Sequence, residues 1–445
     1  MPILDRLTGD APDPQGGGGF ARRDDPQLVR GGGRTYTLNA LRERVEAQFD
    51  AETAGRDDIL FGPDAESTRR ALLRECLNYV LATESVFLDR ETKAGLFEQA
   101  HANLFGFGPV EQYLDDETLT EVAIDGPDRI YARWGFGELE RLPVYFDDAA
   151  HLHTTVARVL AAARTGRSGA AHLSDWGHCM EVGVMLRGRP ARMGLIAPPI
   201  SPHLQVQLRL HPRAPLTLDD LIAGGVMTGA AAHAITDHIA AGRGLLLIGD
   251  AGSGKTTLLG ALGPAFTQGG ARVVAVQRAD ELRLPEGVEV RAAIPPADSD
   301  PGVDFGAQIE AALAGAVRPD WLLLDEMRDD AARAAWAALC APAGAATGEG
   351  EGAPRCAWVF RAEPDPERVR NALSMLLRRA RPAVEQGEIN RLLAARLPLV
   401  VALALVKGAA RVVSVAAFTL GAGGQLTLRP RFALDGSGAL VEVAA

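Results

Sequence analysis

Short, nearly continuous apolar runs recur through the second half of the chain: GLLLIG at 244–249, ARVVAVQ at 271–277, WLLLDE at 321–326 and CAWVF at 356–360. Between them, apolar residues return every third or fourth position: after Lys255, in FGAQIEAALAGAV, after Asp330, and in DPERVRNALSMLLRRA. A strand that is apolar on both sides needs cover on both sides, so this alternation predicts a parallel sheet sandwiched between helices. From Leu399 onward, VVALALV, ARVVSVAAF and LTLRPRFAL read as antiparallel strands closing one edge. Thr217 opens this half of the chain, with Asp220 three residues later in the shape of a capping box.

The first half has a different texture. Residues 1–34 carry two glycine runs with Pro and Asp between them and read as a flexible tail. LNALRERVEAQFD and STRRALLRECLNYVLATESVFL have helical spacing, which makes 35–96 a helical region. LTEVAIDGPDRIYARW alternates apolar and polar residues, predicting two strands about a turn at Asp125-Gly126-Pro127. AHLHTTVARVLAAAR is helical, CMEVGVML and ARMGLIAPP flank a turn at Arg187 to Pro190, and VQLRLH is a further short strand. The expected organisation is a tail (1–34), a helical region (35–96), a small α/β domain (97–213) and a larger α/β domain (214–445).

Composition narrows the class. Of 445 residues, 46 are basic and 57 acidic, a net charge of −11 that argues against a dedicated nucleic-acid binder. Aromatics are 5% against 47% hydrophobic residues, so the cores must be built from Ala, Val and Leu. The 4 Cys (76, 179, 340, 356) have no paired metal spacing and are expected to be small buried residues in a reducing compartment. No run approaches the ~18–20 apolar residues that cross a bilayer, and the start lacks a hydrophobic signal core. The expected location is cytoplasmic, with any membrane association made through partners.

One motif carries chemistry. Gly249-Asp250-Ala251-Gly252-Ser253-Gly254-Lys255-Thr256 fits G-x-x-x-x-G-K-[ST], between an apolar strand and a helix. The glycines let backbone N–H groups curl around a phosphate chain, and the helix N-terminus adds its positive end. Lys255 would reach the β- and γ-phosphates of ATP, Thr256 would bind Mg²⁺, and Thr257 would touch the α-phosphate. The chain's basic residues are almost all Arg, with Lys only at 93, 255 and 407. Lys thus stands at the one position where a compact ammonium is required. WLLLDE then delivers Asp325 and Glu326 to the end of a later strand. One would hold Mg²⁺ through water, and the other would orient or deprotonate an attacking water.

In their order along the chain these segments resemble the type II/type IV secretion ATPase family, and within it the CpaF-type motors of Tad pili. The resemblance runs through LFGFGPVEQYL, VAIDGPDRIYARWGFGELE, PLTLDDLIAGGVMT, GDAGSGKTTLL, RPDWLLLDEMRD and DPERVRNALSMLL. It implies a RecA-like P-loop NTPase C-terminal domain, a smaller α/β N-terminal domain covering the nucleotide, and a hexameric ring. Such a ring would act on an inner-membrane platform protein, and the acidic charge balance gives no expectation of a nucleic-acid partner. It carries the catalytic role to Glu326, with Asp325 standing where the family has glycine. It also carries ATP-reaching roles to Arg192, in GRPARMG, and Arg209, in VQLRLH.

The chain departs from the family in two places. Gln277 and Arg278 stand where an acidic pair is expected, with Asp280 and Glu281 just downstream. No His follows His238, and Arg361 takes the place of the family's histidine, where it would supply a cationic γ-phosphate contact. Two other readings stay open: a regulatory subunit that binds ATP and hydrolyses little, and a DNA-transfer ATPase. His172 and His178 flank Asp175 and Trp176 and read as ordinary loop histidines.

Overall fold

A computed structural model describes residues 28–56, 65–165, 178–279, 281–293, 302–315, 317–340, 353–436 and 438–443. Of the expected Gly/Glu loop at 345–354, all but the last two residues lie outside them, as does the His172–Trp176 stretch. The described chain forms two compact units, 28–211 and 212–443.

The first unit begins with a hairpin, β1 (Leu28–Gly31) and β2 (Arg34–Thr37), paired antiparallel. This corrects the expected tail, which was drawn through residue 34. Gly32 and Gly33, at φ 53° and 81°, make the tight turn that only residues without a Cβ adopt freely. The Thr37 hydroxyl then accepts from Ala40 N at 3.1 Å and starts the helix Leu38–Thr53. Helices Ala65–Thr83 and Arg90–Phe105 pack on it around Leu41, Phe49, Leu73, Leu77 and Leu96.

A six-stranded antiparallel sheet follows in the order β5-β4-β3-β8-β7-β6. The strands are β3 (Leu119–Asp125), β4 (Ile130–Trp134), β5 (Glu140–Arg141), β6 (Cys179–Leu186), β7 (Arg189–Ile196) and β8 (Gln205–Leu210). Val122, Ile124, Met193 and Leu208 face the helix Ala149–Thr165 through Leu152, Val156 and Leu160. The alternate positions of β3 and β8 (Glu121, Asp125, Gln205, Gln207, Arg209) form a polar face. Arg42 joins the helical part to the sheet part by an ion pair to Asp147 at 2.6 Å.

The second unit is a nine-stranded sheet, ordered β11-β10-β12-β13-β9-β14-β15-β16-β17. Its strands are β9 (Leu245–Ile248), β10 (Val273–Gln277), β11 (Glu289–Ala292), β12 (Trp321–Met327), β13 (Arg355–Phe360), β14 (Leu399–Val406), β15 (Ala409–Leu420), β16 (Leu426–Leu434) and β17 (Leu440–Glu442). The first six of these pair in parallel, as the doubly apolar runs require. Neighbouring residues of one strand fall into different cores. Leu246, Val274, Leu322 and Trp358 face helices Phe305–Ala314, Ala332–Cys340 and Pro366–Ala380. Leu245, Leu247, Val273 and Leu323 face Gly229–Ala240 and Lys255–Ala261.

The antiparallel strands expected from Leu399 onward are present: β14 pairs antiparallel with β15, β15 with β16 and β16 with β17. On its other side β14 lies parallel to β9, so it joins the antiparallel edge to the parallel sheet. A wholly apolar strand looks the same in either direction, so its direction depends on the element that precedes it, here the helix Gln386–Arg396. The architecture is α/β and RecA-like, with β13 inserted between the loop-bearing β9 and the acid-bearing β12.

Candidate functional site

The loop after β9 turns on glycines at positive φ: Gly249 at 147°, Gly252 at 77° and Gly254 at 92°. A Cβ on Gly249 would run into the Leu403 carbonyl of β14 and come within 2.6 Å of Ser253 Oγ, so only glycine fits there. Lys255 begins the next helix. Its Nζ donates to the Asp250 carbonyl at 2.6 Å, folding the ammonium back over the loop. Burial pushes this ammonium below its usual pKa range, while the carboxylates of Glu326, Asp325 and Asp250 act in the opposite sense. The Ser253 hydroxyl is fully buried and has no hydrogen-bond partner among the described residues.

The acid strand meets this loop directly. Thr256 Oγ1 donates to Asp325 Oδ1 at 2.8 Å, and Asp325 is buried. Glu326 follows at φ 61°, in the left-handed region, where the pairing of β12 with β13 breaks between Leu324 and Met327. Its carboxylate accepts from Arg328 Nη2 at 2.8 Å and from Nε at 3.2 Å. Arg361, at the end of β13, places its Nε 3.9 Å from Asp250 Oδ1, and both side chains are exposed.

These residues fit a magnesium nucleotide. A phosphate chain would engage the unpartnered Ser253 hydroxyl and draw Lys255 Nζ off the Asp250 carbonyl. No cluster of three or more His, Cys, Asp or Glu suited to a metal occurs among the described residues. A divalent cation here would therefore take phosphate oxygens together with Thr256 and Asp325, as Mg²⁺ does at nucleotide sites.

The structure thus brings Lys255, Thr256, Asp325 and Glu326 together around the loop. Arg192 and Arg209 belong to the other unit and stand directly opposite each other on β7 and β8. Arg192 is buried and paired with Glu181, and Glu121 lies across from Arg209 on β3. Gln277 plays a structural part, because its buried Oε1 accepts from the backbone N–H groups of Glu281 at 3.1 Å and Leu282 at 2.7 Å. Asp280 lies outside the described residues. Cys76 and Cys356 are buried as expected and Cys340 is half-buried, but Cys179 is exposed at the start of the edge strand β6.

Sequence reasoning did not find the arginines around Glu326. Arg278 donates through Nε to the Glu326 carbonyl at 2.8 Å and pairs with Asp330. The signal available was an arginine at the end of one strand and the acid run Asp329-Asp330 after its neighbour.

Comparison with known proteins agrees with this geometry. The model of the type II/IV secretion system protein family matches residues 103–341. The chain belongs to that family. Its membership brings nucleotide binding and ATPase activity at the general level. A candidate conjugal transfer protein of Mycobacterium tuberculosis (strain H37Rv) is 29% identical over 243 residues, 54% of this chain and 67% of that one. Among solved structures, the VirB11 ATPase of the Brucella suis type IV secretion system is 19% identical, with 71% of this chain and 97% of that chain covered and a TM-score of 0.33. The pilus retraction motor PilT with bound ADP is 14% identical, with 76% and 83% covered and a TM-score of 0.45. No helix among the described residues is long and apolar enough to cross a membrane.

Proposed function

We propose that this chain is the ATP-hydrolysing motor subunit of a secretion or Tad-type pilus assembly machine. The observation that carries the reading is the 2.8 Å bond from Thr256 to Asp325, beside a loop whose lysine is folded over it. In this reading the loop N–H groups, Ser253 and Lys255 hold the β- and γ-phosphates. Thr256, Asp325 and the phosphate oxygens would hold Mg²⁺, which when bound would neutralise phosphate charge. Glu326 orients a water for in-line attack on the γ-phosphate, and charge spread over the transferring group is met by Lys255 and Arg361. Arg192 and Arg209 add cationic contacts when the N-terminal unit closes over the nucleotide.

The subunits work as a hexameric ring at the cytoplasmic face of the inner membrane. They are held there by a platform protein. Lobe closure passed to that platform inserts or releases pilin. A second reading follows from the name of the mycobacterial relative: the same engine serving conjugal transfer. Salt-sensitive DNA binding would favour that reading.

The test is phosphate release from the assembled protein with Mg-ATP, against Lys255→Ala. We expect turnover in the native protein and a fall of about a hundredfold or more in the variant. Equal rates in the two would reduce the chain to a regulatory subunit.

A further inference from the structure

We propose that Arg278 is a positioning residue for Glu326, setting the backbone from which the water-orienting carboxylate projects. This rests on the hydrolytic reading above. Arg278 follows β10, whose neighbour in the sheet is β12. Its Nε–H donates to the Glu326 carbonyl at 2.8 Å. That carbonyl belongs to the peptide following Glu326, so the bond fixes ψ at a residue already held at φ 61°. The strand pairing that would otherwise define this backbone is interrupted between Leu324 and Met327. The arginine bonds within the gap, before the ladder resumes at Met327 with Phe360.

Arg278 is itself held rigidly. Its Nη1 and Nη2 donate to the two oxygens of Asp330 at 2.8 and 2.5 Å, a fork-on-carboxylate pairing. The guanidinium carbon sits 4.6 Å from the centre of the Phe305 ring. Only 11% of the side chain is exposed. Arg278 also holds the Asp330 carboxyl below its usual range. One guanidinium therefore joins the end of β10, the break in β12, the turn Asp329–Ala331 and the first residue of the helix Phe305–Ala314. A lysine has one nitrogen and no plane, so it cannot reproduce this set.

The alternative is that Arg278 only ties the strands together. Kinetics separate the two, because a misplaced catalytic group lowers kcat without weakening ground-state binding. The experiment compares the native protein with Arg278→Ala, Arg278→Lys, Asp330→Ala and the double alanine variant. It measures kcat and KM for Mg-ATP, ADP affinity by calorimetry, and amide hydrogen exchange across 321–331. Arg278→Ala and Arg278→Lys should each lose about tenfold or more in kcat, with KM and ADP affinity held within about twofold. Asp330→Ala should lose less. The double variant should be no worse than Arg278→Ala, because the pair acts as a unit.

A kcat within about twofold of native in all three single variants overturns the proposal, as does loss of ADP affinity in step with kcat. Asp330 is exposed, so Asp330→Ala and Arg278→Lys decide the matter if Arg278→Ala does not fold. If the native protein takes up nucleotide but releases no phosphate, the hydrolytic reading fails on its own terms. Exchange across 321–331 then still decides whether Arg278 orders Glu326: faster exchange in the variants supports it, and unchanged exchange overturns it.

Discussion

Glu326 combines a demanding position with an unfavourable backbone. A side chain at φ 61° places its Cβ against the backbone at a cost of about 1 kcal/mol. What holds it there is local: Arg278 on its carbonyl, Arg328 on its carboxylate, and the strand pairs of Leu324 and Met327 on either side of the irregularity. Glu326→Ala and Glu326→Gly both remove the carboxylate, and only the second relieves the backbone. The glycine variant should therefore be the more stable of the two by about 1 kcal/mol in chemical denaturation; the reverse order would show that the position is unstrained. At this scale the sequence was legible where chemistry is contiguous. Lys255 and Thr256 stand in one motif, and Asp325 ends an apolar run. Arg278 was not legible in its role, because its partners are brought to it by a neighbouring strand rather than by spacing along the chain.

Elements were legible in proportion to how much their pattern says. The runs at 245–248, 273–277, 321–327 and 355–360 are apolar on both faces, and burial on both faces is the only way to satisfy them. The hairpin at Leu28–Thr37 was missed because glycine runs read equally as disorder and as a turn. Strand β11 was missed because Glu289–Ala292 is a short edge with two charged residues.

The helix Arg90–Phe105 carries a pH signature that no pattern announces. Burial pulls the His101 imidazole down to about 4, with Arg70 and Arg69 adding to the effect. Its folded value is depressed, so the unfolded chain binds the extra proton and stability falls as pH drops from about 6.5 toward 4. Glu46, pushed up to about 7 by burial, acts in the opposite sense, losing stability as pH rises toward 7. A His101→Leu variant keeps Glu46 and loses only the histidine effect. Between pH 7 and pH 5, the native protein should lose about 1 kcal/mol more than this variant, a figure discounted for partial exposure. Equal losses in parallel denaturation series would remove His101 from the account.

At the scale of the whole molecule, the two units divide the labour that the proposed motor needs. One holds the loop and the acids, and the other holds the facing pair Arg192 and Arg209. If the nucleotide is shared between lobes, it should also organise the ring. Sedimentation with Mg²⁺ and a non-hydrolysable ATP analogue should give a species of six times the chain mass, and Arg192→Ala should weaken it. A monomer under all conditions would count against the ring. Quaternary structure was illegible in the residues themselves and entered only through family resemblance.

The family match stops at residue 341, yet the phosphate loop is walled from behind by what comes later. Strand β9 is flanked on one side by β13 and on the other by β14, and the Leu403 carbonyl is what forbids a side chain at Gly249. Leu403 and Ala410 also stand behind Gly254. The most recognisable stretch of this chain therefore owes its shape to a stretch that the family match does not reach. A bulkier side chain at Ala410 is therefore expected to disturb the proposed nucleotide site, however far it lies from any signature.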